Sequence, residues 1–209
     1  MGFLDKVKKL GDMVEGAGAV AENFSKTTVE DFGPPAYSLY TAMKLGDINR
    51  RIDITDEQGN LKYFTKSSVI AIKGKTDIMD AAGNVIAHLE KSPVSIHEKH
   101  FINMADGGKY TLSNEIFHVV KDITNIEGLG WQLQGNAIGL HFNLVDQYGE
   151  PVAAVRQKAI SIHDRYGIDM YQPDKEQVVV AIVIQLEKML EARSENESES
   201  SFSLFGSGD

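Results

Sequence analysis

From residue 36 to about residue 172, apolar and polar positions alternate in many short runs. SVIAIKG, TDIMD, NVIAHLEK, VSIHEK, KYTLSN, FHVVKDI, WQLQGN, IGLHFNLVD, PVAAVRQK and AISIHD are rich in β-branched or aromatic residues. Asp-x-x-Gly, Gly-Asn and Gly-Gly punctuate them every 8–12 residues or so, which is the signature of an all-β domain of short antiparallel strands. The flanks read differently. Phe3, Leu4, Val7, Leu10, Met13 and Val14 recur three or four residues apart, with Lys6, Lys9 and Asp12 between them, so residues 1–35 open with an amphipathic helix. Gly16 and Gly18 weaken its continuation, and Gly33-Pro34-Pro35 closes the linker.

The last periodic segment, about 174–192, admits two readings. Val and Ile dominate 178–184, as in a strand. The helix is favoured: Pro173 and Asp174 suit a helix start, Glu176 lies where the helix dipole favours an acid, and LEKMLEAR is made of strong helix formers. Such a helix is apolar almost all round over 178–186, so it must be buried on every side. In an all-β protein its place is inside the sheet. The remaining residues, 193–209, are Ser/Glu-rich and too polar to pack, which predicts a disordered acidic tail.

The chain also repeats itself. Residues 78–103 align without a gap on residues 144–169, an offset of 66. Asp80 matches Asp146, Gly83 matches Gly149, and Ser95-Ile96-His97 matches Ser161-Ile162-His163. A third, shorter copy of the turn is ITDEQGN at 54–60. In each copy a strand ends in Asp, Gly supplies a left-handed turn position, and an alternating apolar strand returns. A further strand follows, VSIHEK or ISIHDR, so each half is at least a three-stranded meander. Two such halves can close on each other and remove exposed edges.

Composition narrows the function classes. The 209 residues contain no cysteine, which excludes disulfides, thiolate metal sites and a thiol nucleophile. Thirty acids against 21 bases give a net charge of −9, which argues against a nucleic-acid partner and against loose adsorption to anionic membranes. The charge is uneven, however: residues 187–209 hold six acids and two bases. The longest strongly apolar run, Val178–Ile184, is too short to span a bilayer, and charges from Asp5 to Glu15 interrupt any signal-peptide core. The expected location is cytoplasmic, with peripheral membrane contact as the one variation.

Tyr40-x-x-Met43-Lys44, ITDEQGNLKYFTK, IMDAAGNVIAHLEK, LVDQYGEPVAAVRQK, YGIDMYQPD and the terminal apolar helix, in that order, resemble the LURP-one-related family over about 37–192. That family is grouped with tubby-like proteins and phospholipid scramblases. The resemblance implies a closed antiparallel tubby-like β-barrel of two related halves around a buried hydrophobic C-terminal helix. It agrees with the independent reading of two β halves and an enclosed helix. It also implies peripheral binding of a phospholipid or phosphoinositide-type head group rather than enzymatic activity. The palmitoylated Cys-rich segment of scramblases has no counterpart here, and fold alone does not set function.

Candidate chemistry is sparse. No Ser-His-Asp set, nucleophile elbow or phosphate-binding Gly-rich loop can be picked out, and no cofactor is expected. His97 and His100 stand three apart, which on a strand puts them on opposite faces and makes a poor metal pair. The Asp-x-x-Gly turns at Asp56, Asp80 and Asp146 lack the alternating ligands and closing Glu of a calcium loop, and read as turns. Trp131 and the tyrosines read as core or cross-strand pairs. Basic pairs are the candidate lipid-binding residues: Arg50 with Arg51, Lys73 with Lys75, and Arg156 with Lys158. In the last two, i, i+2 spacing places both side chains on one strand face, where they could hold a phosphate. Ordinary solvated strand charge is the alternative. Candidate protein-docking segments are the N-terminal helix, 1–24, whose charges cancel over 1–26, and residues 200–206, which hold the apolar SFSLFG within the acidic tail.

Overall fold

The computed structural model describes residues 31–43, 51–67, 75–92, 99–113, 123–158 and 165–203; of 42–43, 157–158, 165 and 194–203 it describes the backbone alone. The expected N-terminal helix and residues 204–209 therefore lie outside the described residues, as do Arg50, Lys73, His97 and His163.

Among the described residues, twelve strands form one antiparallel sheet: β1 Tyr37–Met43, β2 Ile52–Thr55, β3 Leu61–Ser67, β4 Thr76–Asp80, β5 Val85–Lys91, β6 Lys99–Met104, β7 Lys109–Ser113, β8 Ile123–Asn125, β9 Gln132–Asn136, β10 His141–Val145, β11 Pro151–Lys158 and β12 Arg165–Met170. The order across the sheet is β7-β6-β5-β4-β3-β2-β1-β12-β11-β10-β9-β8. A short 3₁₀ turn, Pro173–Lys175, leads into helix α1, Glu176–Ser203.

The sequence repeat is a structural repeat. Shifted by 66 residues, β6 falls on β12, and the bulge between Ile78 and Met79 falls on the one between Leu144 and Val145. The three Asp-Gly turns are built alike. The N–H groups of Gly59, Gly83 and Gly149 each donate to the carbonyl of the turn's Asp at 3.0 Å, with φ between 83° and 88°. Each Asp N–H donates in turn to the carbonyl four residues on. The VSIHEK and ISIHDR segments lie almost wholly outside the described residues; the third strand of each half is KHFINM or RYGIDM, just after them.

The core forms where this sheet wraps α1. Val179, Val180, Ala181, Ile182, Val183, Ile184 and Leu186 have no exposed surface. Successive residues are about 100° apart around a helix, so six consecutive buried positions cover its whole circumference. The sheet therefore surrounds the helix. Facing it are Leu39, Ile54, Ile78, Ile102, Leu133, Phe142, Val155 and Ile168, all buried. Each such apolar side chain contributes about 1.5–3 kcal/mol on burial.

Two expectations need correction. The barrel is not closed by a continuous ladder. β7 and β8 are the sheet's two edges, and among the described residues a single bridge links β7 to the chain just past β8, where the Thr111 N–H donates to the Glu127 carbonyl at 3.1 Å. The reason is local: β8 is three residues long, and the chain turns away through Ile126–Trp131 before a second rung can form. The other correction concerns the C-terminus. The helix does not stop near 192 but runs to Ser203, into the segment read as disordered. Once its buried turns exist, adding Glu, Arg and Ser residues needs no new nucleus.

Candidate functional site

Because every strand is antiparallel to its neighbours, the connections alternate between two ends of the sheet. One end carries the tight Asp-Gly turns (56–60, 80–84, 146–150), the β6–β7 turn and the start of α1. At the other lie the last residues of β1, β3, β5, β7 and β11 and the 137–140 turn, and there the helix leaves the sheet.

The turn end is acidic. Asp56, Glu57, Asp80, Asp106, Asp146, Glu150 and Asp174 lie there, against Lys62, Lys109 and Lys175. Hydrogen bonds to the turns hold the Asp56 and Asp80 carboxyls below the usual range; Asn60 and Asn84 are the main donors. Glu176, in the first turn of α1, accepts hydrogen bonds from the Tyr37 hydroxyl and, at 2.5 Å, from the Tyr63 hydroxyl. Lys62 Nζ stands 3.7 Å away. Burial, then the hydrogen bond to Glu176, pushes ionisation of both tyrosines upward. The cluster fastens the helix start to β1 and β3. Two clefts, about 370 Å³ beside Glu176 and about 500 Å³ beside Trp131, flank it.

The loop end is basic. Arg51, Lys66, Lys75, Lys91, Lys158, Arg165 and Lys188 lie there, with Asp53, Asp77, Glu90, Glu187 and Glu191 as the acids. A cavity of about 250 Å³ opens between the sheet and the emerging helix. Lys75, Lys91 and Lys188 line it together with Glu90, Glu191, His100 and Gln185. The Lys75 ammonium lies 2.6 Å from Glu90, and Lys188 lies 3.2 Å from Glu191. His100 Nδ1 and Gln185 Nε2 are 3.2 Å apart and buried. On the same helix, Glu187 is 7% exposed, and neither carboxylate oxygen has a hydrogen-bond partner. Burial raises its pKa from 4.5 to about 7; Lys188 opposes the shift and Glu191 adds to it.

The described members of the three predicted basic pairs belong to this end but differ in what they do. Lys75 lines the cavity. Arg51 lies with its guanidinium 4.2 Å above the Phe64 ring and donates from Nε to Asp53 at 2.5 Å. Arg156 is half-buried and donates to the Phe142 and Val155 carbonyls and to Asn143 Oδ1, tying β11 to β10. Its lowered pKa comes from burial first. Lys158 ends β11 opposite Arg165. Lys91, Lys188, Gln185 and Glu187 were not singled out by motif. One signal was present: the ends of the two repeat strands carry Lys91 and Lys158, neighbouring positions of the aligned copies. The helix residues gave none, because their role depends on where α1 leaves the sheet.

A twelve-stranded antiparallel sheet curled around an apolar C-terminal helix, built from two copies of one hairpin unit, defines the class of protein. A family model described as LURP-one-related matches residues 37–187, and the chain belongs to that family. The tubby-like relation is consistent with it. A search of curated protein sequences finds no significant match. Among solved structures, an X-ray structure of an Arabidopsis thaliana protein is similar, with 16% identity and a TM-score of 0.47, over 76% of this chain and 96% of that one.

Proposed function

We propose that this LURP-one-related domain is a non-enzymatic module that binds an acidic phospholipid surface peripherally through the loop end of its sheet. The observation that carries the reading is the separation of charge. The strand ends and helix exit at one end are mostly basic, and the turns at the other are mostly acidic. A net charge of −9 then orients the molecule rather than repelling it, since screening confines each charge's influence to about 8–10 Å at physiological ionic strength. Anionic lipids attract nearby Lys and Arg by about 1 kcal/mol each. Among the described residues no helix is long and apolar enough to cross a membrane.

Co-sedimentation with phosphatidylserine-containing vesicles tests the reading. Binding is expected at low salt, falling as salt rises. It should weaken in Arg50→Ala/Arg51→Ala and in Lys73→Ala/Lys75→Ala, and stay unchanged in Lys62→Ala/Lys175→Ala at the opposite end. Absence of binding at low salt, or equal binding by all three variants, overturns it.

A second reading rests on a different observation, the continuation of α1 to Ser203. It makes the domain a scaffold that meets a protein partner through its acidic C-terminal helix or its N-terminal segment. Pull-downs with chains lacking 1–30 or 194–209 test it; an unchanged partner set for both truncations removes it.

A further inference from the structure

Three large apolar residues stand exposed among the described residues: Ile123, Ile138 and Tyr148. Tyr148 belongs to the acidic turn end. The two isoleucines belong to the loop end, where Ile123 opens β8 and Ile138 lies in the connection between β9 and β10. Ile123 pairs with Gln134 on β9, four residues before Ile138 and so within about 13 Å of it along an extended chain.

The β9–β10 connection is a built turn. The Gly139 N–H donates to Asn136 Oδ1 at 3.0 Å, and the Leu140 N–H donates to the Ala137 carbonyl at 3.2 Å. Ala137 and Leu140 are both 2% exposed, so the turn is anchored in the core on each side of its tip. Leu140 has φ 46°, the single left-handed non-glycine residue among those described. A bulky L residue held there is a constraint that the surrounding packing must impose. Its effect is to sink Leu140 and leave Ile138 at the tip, 42% exposed. Beside it, β10 pairs with β11, whose end carries Lys158.

We infer that Ile138, supported by Ile123, enters the boundary between head groups and acyl chains of an anionic bilayer while the neighbouring basic strand ends meet the phosphates. This rests on the reading of the loop end as lipid-facing and specifies its ligand. An apolar side chain at a rigid tip gains nothing from a free phosphate in water, but it gains from an acyl environment. Apolar tip plus basic flank is the complement of an acidic bilayer and of no soluble head group.

The test uses the full chain and vesicles of phosphatidylserine and phosphatidylcholine. Ile138→Ser should weaken binding by roughly tenfold, the effect of withdrawing one buried aliphatic side chain. Ile138→Trp should bind as the parent does and be quenched by lipids brominated on the acyl chain. Tyr148→Trp, at the opposite end, should not be quenched; native Trp131 is 5% exposed and supplies the background in both. If the parent chain fails to bind vesicles, the lipid-surface reading falls and this inference with it. If the parent binds but Ile138→Ser binds equally well and Ile138→Trp escapes quenching, only the insertion of Ile138 is overturned. A change in self-association of Ile138→Ser without vesicles, at unchanged lipid binding, assigns the tip to contact between protein chains and likewise overturns it.

Discussion

Glu187 shows how a single side chain sets a pH dependence. Its carboxyl is buried without a hydrogen-bond partner, and its pKa rises from 4.5 to about 7. A raised acid pKa means that the folded state holds the proton more tightly than the unfolded chain. Stability from this group is therefore full below about pH 4.5 and is lost as pH rises toward 7. The loss is on the order of 3 kcal/mol at most. Glu187→Gln should raise the melting temperature at pH 8 and leave it nearly unchanged at pH 4.5, as thermal melts at the two values will show. Gly83 gives a second residue-scale expectation. It has φ 88° and open space where a Cβ would go, so Gly83→Ala meets only backbone strain. The cost should be about 1–2 kcal/mol by urea unfolding. Gly149→Ala, in the equivalent turn, should cost the same. These turn roles are legible in sequence because Asp and Gly act on their own local backbone. The roles of Arg51 and Arg156 are not, since Phe64, Phe142 and Asn143 reach them from neighbouring strands.

At the scale of elements, the junction between α1 and the sheet is the sensitive point. Glu176 accepts from Tyr37 on β1 and Tyr63 on β3 while sitting in the first helical turn. Hydrogen bonds to a charged group contribute about 1.5–3 kcal/mol each. With two such bonds, Glu176→Ala should cost about 3–6 kcal/mol, and Glu176→Gln less. A double-mutant cycle between Glu176→Ala and Tyr63→Phe should return a coupling above about 1 kcal/mol; a value near zero would show that the contact contributes nothing. Strand content follows from the alternating pattern, and helix was the better reading of 174–192 because the helix formers after Ile184 outweigh the β-branched run. The extent of α1 was not legible. A Ser/Glu-rich stretch has no apolar face of its own, and its helicity is borrowed from the buried turns before it.

Both repeat halves share one core with the helix, so the whole molecule should unfold as one cooperative unit. β1 joins the halves through four residue pairs with β12, Tyr37–Tyr40 against Gly167–Met170, while among the described residues a single bridge links β7 to Glu127, just past β8. Ile182→Ala at the helix centre should cost about 2–4 kcal/mol through its cavity. Trp131 fluorescence and far-UV CD should still report one shared transition; two separated transitions would mean that the halves unfold apart. By itself the amino-acid sequence determined the strand-rich middle, the repeated Asp-Gly turns, the buried closing helix and the absence of thiol chemistry. Each of these depends on residues close together in the chain. The tertiary structure alone decided that the sheet stops short of closure, that the basic strand ends gather at the helix exit, and that Ile138 stands at a turn tip. Those are consequences of strand order and curvature, which bring together residues that the chain keeps far apart.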